Sequence, residues 1–452
     1  MKILIAGDGK VGSTLARQLS AEGYDLVLID SNINVLEATE EQYDILSVHG
    51  NCASMQTLRD ADVAHSELLI ACTGTDEVNL LCCMTAHQLN PKIHTIARIR
   101  DPEYVEQAYA MRHAFGLSMT FNPEKQAAEE IAHLLKAPGF LTRDTFVNGK
   151  VQIAELRVDE NSKLCNVPLS AVNSVVRTQI LVCAVLRGGK AITPNGCFIL
   201  KAGDRIFVTA TADRLAIMLK SLGVVTKKVR TALVAGGGMI SYYLAEILQG
   251  SSIDLHIIEK NRERCTSLAA QLPRTTVLCG DVGNQGYLES EGLGNYDALL
   301  SLTGFDELNI VVSMYGSSCG VPQIITKLGH VENSKITDSL PLGSVICPRK
   351  LCCNNIVRYV RALQNQNGAA ITIHSIAEGQ AEAMEFEVDE KTLHCGEALR
   401  HLKLKKNILI VSITRGSHIE IPDGDSSFHV GDRIVIVSSA DEIILQLNDI
   451  FA

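Results

Sequence analysis

The feature that most constrains this chain is that it is written twice. "ILIAGDGKVGSTLARQL" from Ile3 returns as "ALVAGGGMISYYLAEIL" from Ala232, with Gly7 matching Gly236 at an offset of 229. "TGTDEVNLL" from Thr73 returns as "TGFDELNIV" from Thr303 at an offset of 230. A second, unrelated pair of blocks follows: "AVLRGGKAITPNGCFILKAGDRIFVTA" from Ala184 and "SITRGSHIEIPDGDSSFHVGDRIVIVS" from Ser412, with Gly203-Asp204 on Gly431-Asp432. Each half is therefore a larger module followed by a smaller one, in the order N1-C1-N2-C2. A chain of 452 residues is long enough for several separate cores.

Patterning assigns a fold to each module. In N1, apolar strands ("KILIAG", "DLVLID", "DILSVHG", "LLIACTG", "IHTIARI") alternate with helical stretches at Ser13 to Glu22, near Asn34 to Gln42, and from Asp76 to Leu89. Continuous apolar strands between amphipathic helices predict a parallel sheet covered on both faces, the doubly wound α/β arrangement. The smaller modules read as α+β: strands "QIAELRV", "ILVCAVLR" and "DRIFVTA" are separated by turn signals "GGK" and "PNG", with one helix near Leu169 to Ser174. An amphipathic helix from Asn122, with Ala128, Ile131, Leu134 and Leu135 on one face, follows N1. Its counterpart begins near Pro348, with Ile356, Val360 and Leu363. The expected boundaries are 1–137, 138–226, 229–366 and 367–452, with a linker around Thr226, Lys227 and Lys228.

Gly7-x-Gly9-x-x-Gly12 lies between a strand and a helix. Gly7 permits the tight turn, Gly9 lets a phosphate approach the backbone, Gly12 lets the helix pack closely, and the helix start faces the anion. Asp30 ends the next strand 18 residues after Gly12, the spacing of a ribose-binding acid. A carboxylate there favours an unphosphorylated ribose, so NAD(H) or an adenine nucleotide such as ATP or ADP fits and NADP fits poorly. Glu259 occupies the matching position; the other reading for either acid is a solvated strand end. The second turn, Gly236-Gly237-Gly238, has Ser241 in place of the third glycine, which should crowd the helix and leaves that pocket weaker, altered or structural. Arg98 aligns with Lys327; either serves as a phosphate cation or a strand-end charge. Thr73, Gly74, Asp76, Glu77 and Asn79 follow the fourth strand at the rim where such sheets bind ligands, and Asp76 and Glu77 also suit a helix N-terminus.

Other classes are disfavoured. A net charge of -10 without a basic stripe argues against nucleic acid. The Met1 to Ile5 start enters a strand directly, so no secretory signal is expected, and no apolar run approaches a membrane span. The 14 cysteines are dispersed, many within apolar segments (Cys72, Cys183, Cys279), without Cys-x-x-Cys; they are expected to be reduced, buried thiols. His49, His65, His87, His94, His113 and His133 form no metal-ligand spacing, so no metal site is expected. No catalytic block lies between the N-modules, and Asp204 and Asp432 are expected to shape turns.

With "GDGKVG", "LID", "TGTDEVN", "LRGGKAITP" and "GDRI" in duplicated N-C-N-C order, the whole chain resembles the RCK (regulator of potassium conductance) modules of the TrkA family, regulatory subunits of bacterial Trk potassium-uptake systems. The resemblance implies two Rossmann-like RCK-N domains, each followed by a small RCK-C domain. It implies a cytoplasmic, peripheral protein at the inner face of the inner membrane, a homo-tetramer or other ring, which binds NAD(H), ATP or ADP and docks on a Trk-type potassium-translocating membrane subunit. Carried onto this chain, the implied nucleotide contacts are Gly7, Asp8, Gly9, Lys10, Val11, Asp30, Asn51, Cys52, Thr73 and Arg98, then Gly236, Gly238, Glu259, Asp281 and Thr303. The chain departs from the family at Gly50-Asn51, where the family often has Gly-Asp, while Gly280-Asp281 keeps it. The expectation is a nucleotide sensor that rearranges a ring; the alternatives are an NAD-dependent oxidoreductase or an RCK regulator of another cation transporter.

Overall fold

Short β-branched and leucine-rich runs with no polar residue facing either side can only sit in the middle of a covered sheet. Lys2–Ala6 (β1) and Thr231–Ala235 (β12) are such runs, with side chains from Ile3 to Ala6 and Ala232 to Ala235 fully buried. The structure, a computed structural model, describes residues 1–43, 45–136, 139–147, 149–223, 228–329, 340–364, 370–439, 444 and 446–452. Thr226 and Lys227 of the expected linker, and the expected boundary residues 137, 138, 226, 366 and 367, lie outside the described residues.

Around β1, the strands Asp25–Asp30 (β2), Leu46–His49 (β3), Leu68–Ala71 (β4), His94–Arg98 (β5) and Met119–Phe121 (β6) form a parallel sheet in the order β3-β2-β1-β4-β5-β6. Order reverses at β1, so the crevice above β1 and β4 is a topological switch point. Helices Lys10–Ala21 (α1), Ile33–Glu40 (α2), Met55–Asp60 (α3), Asp76–Leu89 (α4) and Pro102–Ala110 (α5) connect them, and Pro123–Lys136 (α6) follows β6. The bounds of α4 coincide with the sequence reading. Helix α1 starts three residues earlier than expected, because Gly9 rather than Gly12 is the N-cap.

The smaller module folds as an antiparallel sheet of Thr142–Phe146 (β7), Val151–Arg157 (β8), Leu181–Arg187 (β9), Lys190–Ile192 (β10) and Arg205–Ala210 (β11), in the order β10-β9-β11-β8-β7, with helices Leu169–Val176 (α7) and Ala212–Leu222 (α8). Helix α8 was missed by the sequence reading; Gly223 at φ +78° ends it. Asp204 and Asp432 do close turns, accepting from Lys201 N at 2.8 Å and His429 N at 2.9 Å. They also grip Arg187 and Arg415 through both carboxylate oxygens.

The second half repeats both layers. Asp254–Glu259 (β13), Thr276–Cys279 (β14), Ala298–Ser301 (β15), Gln323–Lys327 (β16) and Ser344–Ile346 (β17) join β12 in the order β14-β13-β12-β15-β16-β17, again parallel. Its helices are Met239–Leu248 (α9), Arg262–Gln271 (α10), Gln285–Ser290 (α11), Asp306–Ser318 (α12) and Pro348–Gln364 (α13). Thr372–Ile376 (β18), Ala381–Glu387 (β19), Ile408–Arg415 (β20), His418–Glu420 (β21) and Arg433–Ser439 (β22) form the last sheet, in the order β18-β19-β22-β20-β21. Where α7 stands in the first half, this module has only a 3-10 turn at Leu399–His401.

Two compact units result: residues 1–127 with 347–359, and residues 128–346 with 360–452. The first unit thus takes most of α13, which the sequence attached to the second half. Cys352, Cys353 and Ile356 of that helix are fully buried, and Cys353 Sγ donates to Val11 O at 3.8 Å. The second unit takes the C-terminal part of α6: Gln323 Nε2 donates to Leu134 O at 3.0 Å.

Candidate functional site

The first crevice is built on Gly7. At φ +103°, a Cβ there would stand 2.9 Å from Thr73 N, so the chain passes over β4 only because the side chain is absent. Gly12 is equally constrained: a Cβ would lie 1.8 Å from Gly7 O. Gly9 meets nothing within 4 Å and faces open space. The first bond inside α1 runs from Ser13 N to Gly9 O at 3.0 Å, which leaves the N–H groups of Lys10, Val11 and Gly12 without partners in the helix. Those three donors and the helix dipole make a ready anion site.

Asp30 is braced at the crevice edge. Its Oδ2 accepts from Asp8 N at 2.7 Å and its Oδ1 from Asn32 N at 2.8 Å, fixing the carboxylate with lone pairs left for hydroxyl donors. Asp8 points the other way: it is buried, and its Oδ2 accepts from Thr39 Oγ1 at 2.6 Å while Oδ1 is buried with no hydrogen-bond partner. Burial pushes the Asp8 carboxyl up to about 6, against the Thr39 bond that lowers it and with help from Asp30. The Asp8 side chain is thus turned into the fold. The same holds for Cys52, whose buried side chain packs in the core beside Cys82, a neighbour that helps lower its thiol below the ordinary value. Asn51 uses its Oδ1 on Ala53 N at 3.0 Å.

At the rim, much of the Thr73–Asn79 segment acts as an internal clamp. Fully buried Asn79 accepts from Thr73 N at 2.8 Å and Thr73 Oγ1 at 2.7 Å, and donates to Arg98 O at 2.9 Å, tying the ends of β4 and β5 together. Asp76 accepts from Arg100 N and Asp101 N, both at 2.8 Å. Glu77 accepts from Tyr104 at 2.9 Å. Backbone N–H donation and that phenol hold the Glu77 carboxyl below its ordinary value. Arg98 pairs with Glu124 at 3.3 Å, and its buried Nε has no partner. Arg349 of α13 reaches the first turn of α1, donating to Lys10 O at 3.4 Å. Glu124, Thr39 and Arg349 were missed by the sequence reading, since none lies in a repeated block.

The second crevice repeats the frame with other side chains. Gly236 has φ +108°, and Tyr242 N to Gly238 O at 3.1 Å is the first bond inside α9. Glu259 copies Asp30, accepting from Gly237 N at 2.8 Å and Asn261 N at 2.7 Å. Asn309 copies Asn79, accepting from Thr303 N at 2.8 Å and donating to Lys327 O at 3.0 Å. Lys327 Nζ donates to Thr303 O. Asp281 pairs with Lys260 at 2.7 Å and accepts from Gly283 N, contacts that hold its carboxyl low. Ser241 does not crowd the turn as expected: it is fully buried and its hydroxyl donates to Gly236 O at 2.5 Å. Arg264, which aligns with no basic residue of the first half, donates to Gly237 O at 2.9 Å.

Two glycine turns over parallel sheets, each sheet followed in sequence by a small antiparallel one, define a tandem RCK-type architecture. The TrkA-N domain model matches residues 3–122 and 232–348, and the TrkA-C domain model matches 153–223 and 383–451. The chain belongs to the TrkA family. A Trk system potassium uptake protein TrkA homolog of Archaeoglobus fulgidus is 31% identical over 444 residues, 98% of each chain. Trk system potassium uptake protein TrkA of Haemophilus influenzae is 28% identical over 454 residues, covering 100% of this chain and 98% of that one. Among solved structures, the GsuK RCK domain superposes with a TM-score of 0.63 at 18% identity, over 97% of this chain and 92% of that one. The GsuK channel bound to NAD superposes with 0.61 at 17%, over 97% and 77%; these likenesses establish the fold. Among the described residues no helix is long and apolar enough to cross a membrane, and no group of three or more His, Cys, Asp or Glu is placed to hold a metal.

Proposed function

We propose that this chain is a nucleotide-sensing regulatory subunit of a Trk-type potassium-uptake system. It binds NAD(H) or ATP/ADP in the crevices of its N-modules and, as part of a ring, biases a potassium-translocating membrane subunit at the cytoplasmic face. The modules are 1–137, 138–226, 229–366 and 367–452. The observation that carries the reading is the matched bracing of Asp30 and Glu259, each fixed by two backbone N–H groups beside a turn whose next helix offers free N–H donors. Such a carboxylate reads ribose hydroxyls, and such a turn holds a diphosphate.

The residues fit that ligand. In the first pocket the diphosphate would lie on the backbone of Gly7, Asp8, Gly9, Lys10, Val11 and Gly12, with the ribose on Asp30, the base side on Asn51 and Cys52, and Thr73 and Arg98 across the crevice. Arg98 keeps a buried Nε without a hydrogen-bond partner beside its Glu124 pair. Gly236, Gly238, Glu259, Asp281 and Thr303 take the corresponding places in the second pocket. The adenine-bearing group contributes differential affinity for two module arrangements, and about 1–3 kcal/mol of coupling biases a ring. Its role is read as sensing rather than consumption: Asn79 and one carboxylate oxygen each of Asp76 and Glu77 are held by the fold.

Titration of the full chain with ATP and with NADH, read by binding heat alongside native mass, tests this. Asp30→Ala removes a charge-assisted acceptor and is expected to weaken binding at the first pocket by about 1.5–3 kcal/mol. Unchanged affinity in both Asp30→Ala and Gly9→Asp would show the pocket to be misassigned, and turnover of NADH with a carbonyl substrate would favour the oxidoreductase instead.

A further inference from the structure

The parallel register of β13 and β14 sets Cys279 beside Glu259. The first turn of α10 returns Cys265 to the same residue, where its Sγ donates to Glu259 O at 3.2 Å. The Cys279 thiol lies close enough to Cys265 to help raise its thiol above the ordinary value. Cys265 is buried, but Cys279 is exposed, a correction to the sequence reading that buried it.

We propose that Cys279 and Cys265 form an oxidisable dithiol at the second pocket, closed to a disulfide by hydroperoxides, and that closure weakens nucleotide binding by disturbing Glu259. The second clause rests on the reading of Glu259 as a ribose contact.

The chemistry balances without a further reagent. The Cys279 thiolate attacks a peroxide oxygen; an S–O bond forms, the O–O bond breaks, and hydroxide leaves to take up the thiol's released proton. Cys265 sulfur then displaces the hydroxyl from Cys279 sulfur, and its own proton leaves with that hydroxyl as water. Two thiols and one hydrogen peroxide become one disulfide and two waters. Roles divide by environment: burial, the Cys279 contact and nearby Glu259 push the Cys265 thiol up to about 11, so Cys279 attacks first.

Glu259 is affected because both thiols flank it. A disulfide imposes a Cα separation of about 4.4–6.8 Å and a fixed dihedral. It also removes the Cys265 donor from Glu259 O, at the residue whose carboxylate braces Gly237 and Asn261. The first pocket has no such device: His49 pairs with Asp30 where Cys279 pairs with Glu259, and the thiols of Cys52 and Cys82 are both buried.

The test uses the full chain carrying Asp30→Ala, so that binding reports the second pocket. Hydrogen peroxide is expected to link residues 265 and 279 in peptide maps and to weaken ATP or NADH binding about fivefold or more, reversibly with dithiothreitol. Cys279→Ser is expected to abolish the response, and Cys265→Ser to stop at a Cys279 sulfenic acid trapped by dimedone. An unlinked pair in protein whose exposed Cys197 has been oxidised would overturn the dithiol. A linked pair with unchanged affinity would overturn the coupling. If the unoxidised Asp30→Ala protein binds no nucleotide, the second pocket itself falls and the coupling with it, while the peptide map still decides the dithiol.

Discussion

The two N-modules carry the same backbone device and fill it differently. Each has a glycine at φ above +100°, a free first helical turn, a carboxylate on two N–H groups and an asparagine clamp. The first has Gly12, buried Asp8 and an Arg98–Glu124 pair; the second has Ser241, Gly237, Lys327 on Thr303 O, and Arg264 across the turn. What survives duplication is the geometry that backbone groups impose, while side chains around it are free to diverge.

The sharpest way to break the comparison is at its shared point. Gly7→Ala and Gly236→Ala each place a Cβ about 3 Å from the chain at Thr73 or Thr303, at a φ that L-residues avoid. Strain of about 1–3 kcal/mol and a clash of similar size, about 1–3 kcal/mol, are expected in both halves, read as lowered thermal midpoints and lost nucleotide binding. A tolerated alanine in either half would end the claim of a common turn.

Next comes the position where the halves differ. Gly12→Ser is expected to cost about 1–3 kcal/mol, because the added carbon meets Gly7 O. Ser241→Gly, which loses a hydrogen bond and stiffens nothing, is expected to cost about 1 kcal/mol. Denaturant unfolding of the two variants should rank them so; equal costs would mean that the helix start adjusts freely in both modules.

The remaining effect is one of pH. Asp8 has no acidic counterpart, since Gly237 occupies its place. With the Asp8 carboxyl raised from 3.8 to about 6, the folded chain keeps a proton between those values that the unfolded chain has released. Its contribution to stability is therefore complete at the acid end of that window and is lost as pH rises through about 6. Asp8→Asn should flatten that slope in midpoints measured from pH 4 to 7; an unaltered slope would place the titration elsewhere.

Much of the frame was legible because it depends on local rules. Apolar runs marked β1 to β5, and the glycine spacing marked the turn. The alternation of strand and helix placed α4 from Asp76 to Leu89, as observed. Spacing marked Asp30 at the end of β2 and the repeat carried it to Glu259, and both carboxylates brace their glycine turns. Side-chain direction was not legible: Asp8 and Cys52 look like ligand contacts in a motif, yet the fold turns both side chains inward. Cys279 looks buried by its neighbours, but β14 is an edge strand that leaves its end open.

By itself the sequence determined the duplication, the alternation of strand and helix, and the position of both glycine turns, because periodicity, glycine and a strand-end acid act within a few residues. Only the tertiary structure decided that residues 347–359 pack with residues 1–127, that Arg98 faces Glu124, and that Cys265 and Cys279 meet at Glu259. These contacts join segments whose separation along the chain carries no local signal, and they are selected by which buried faces and charges complement one another once the sheets have formed.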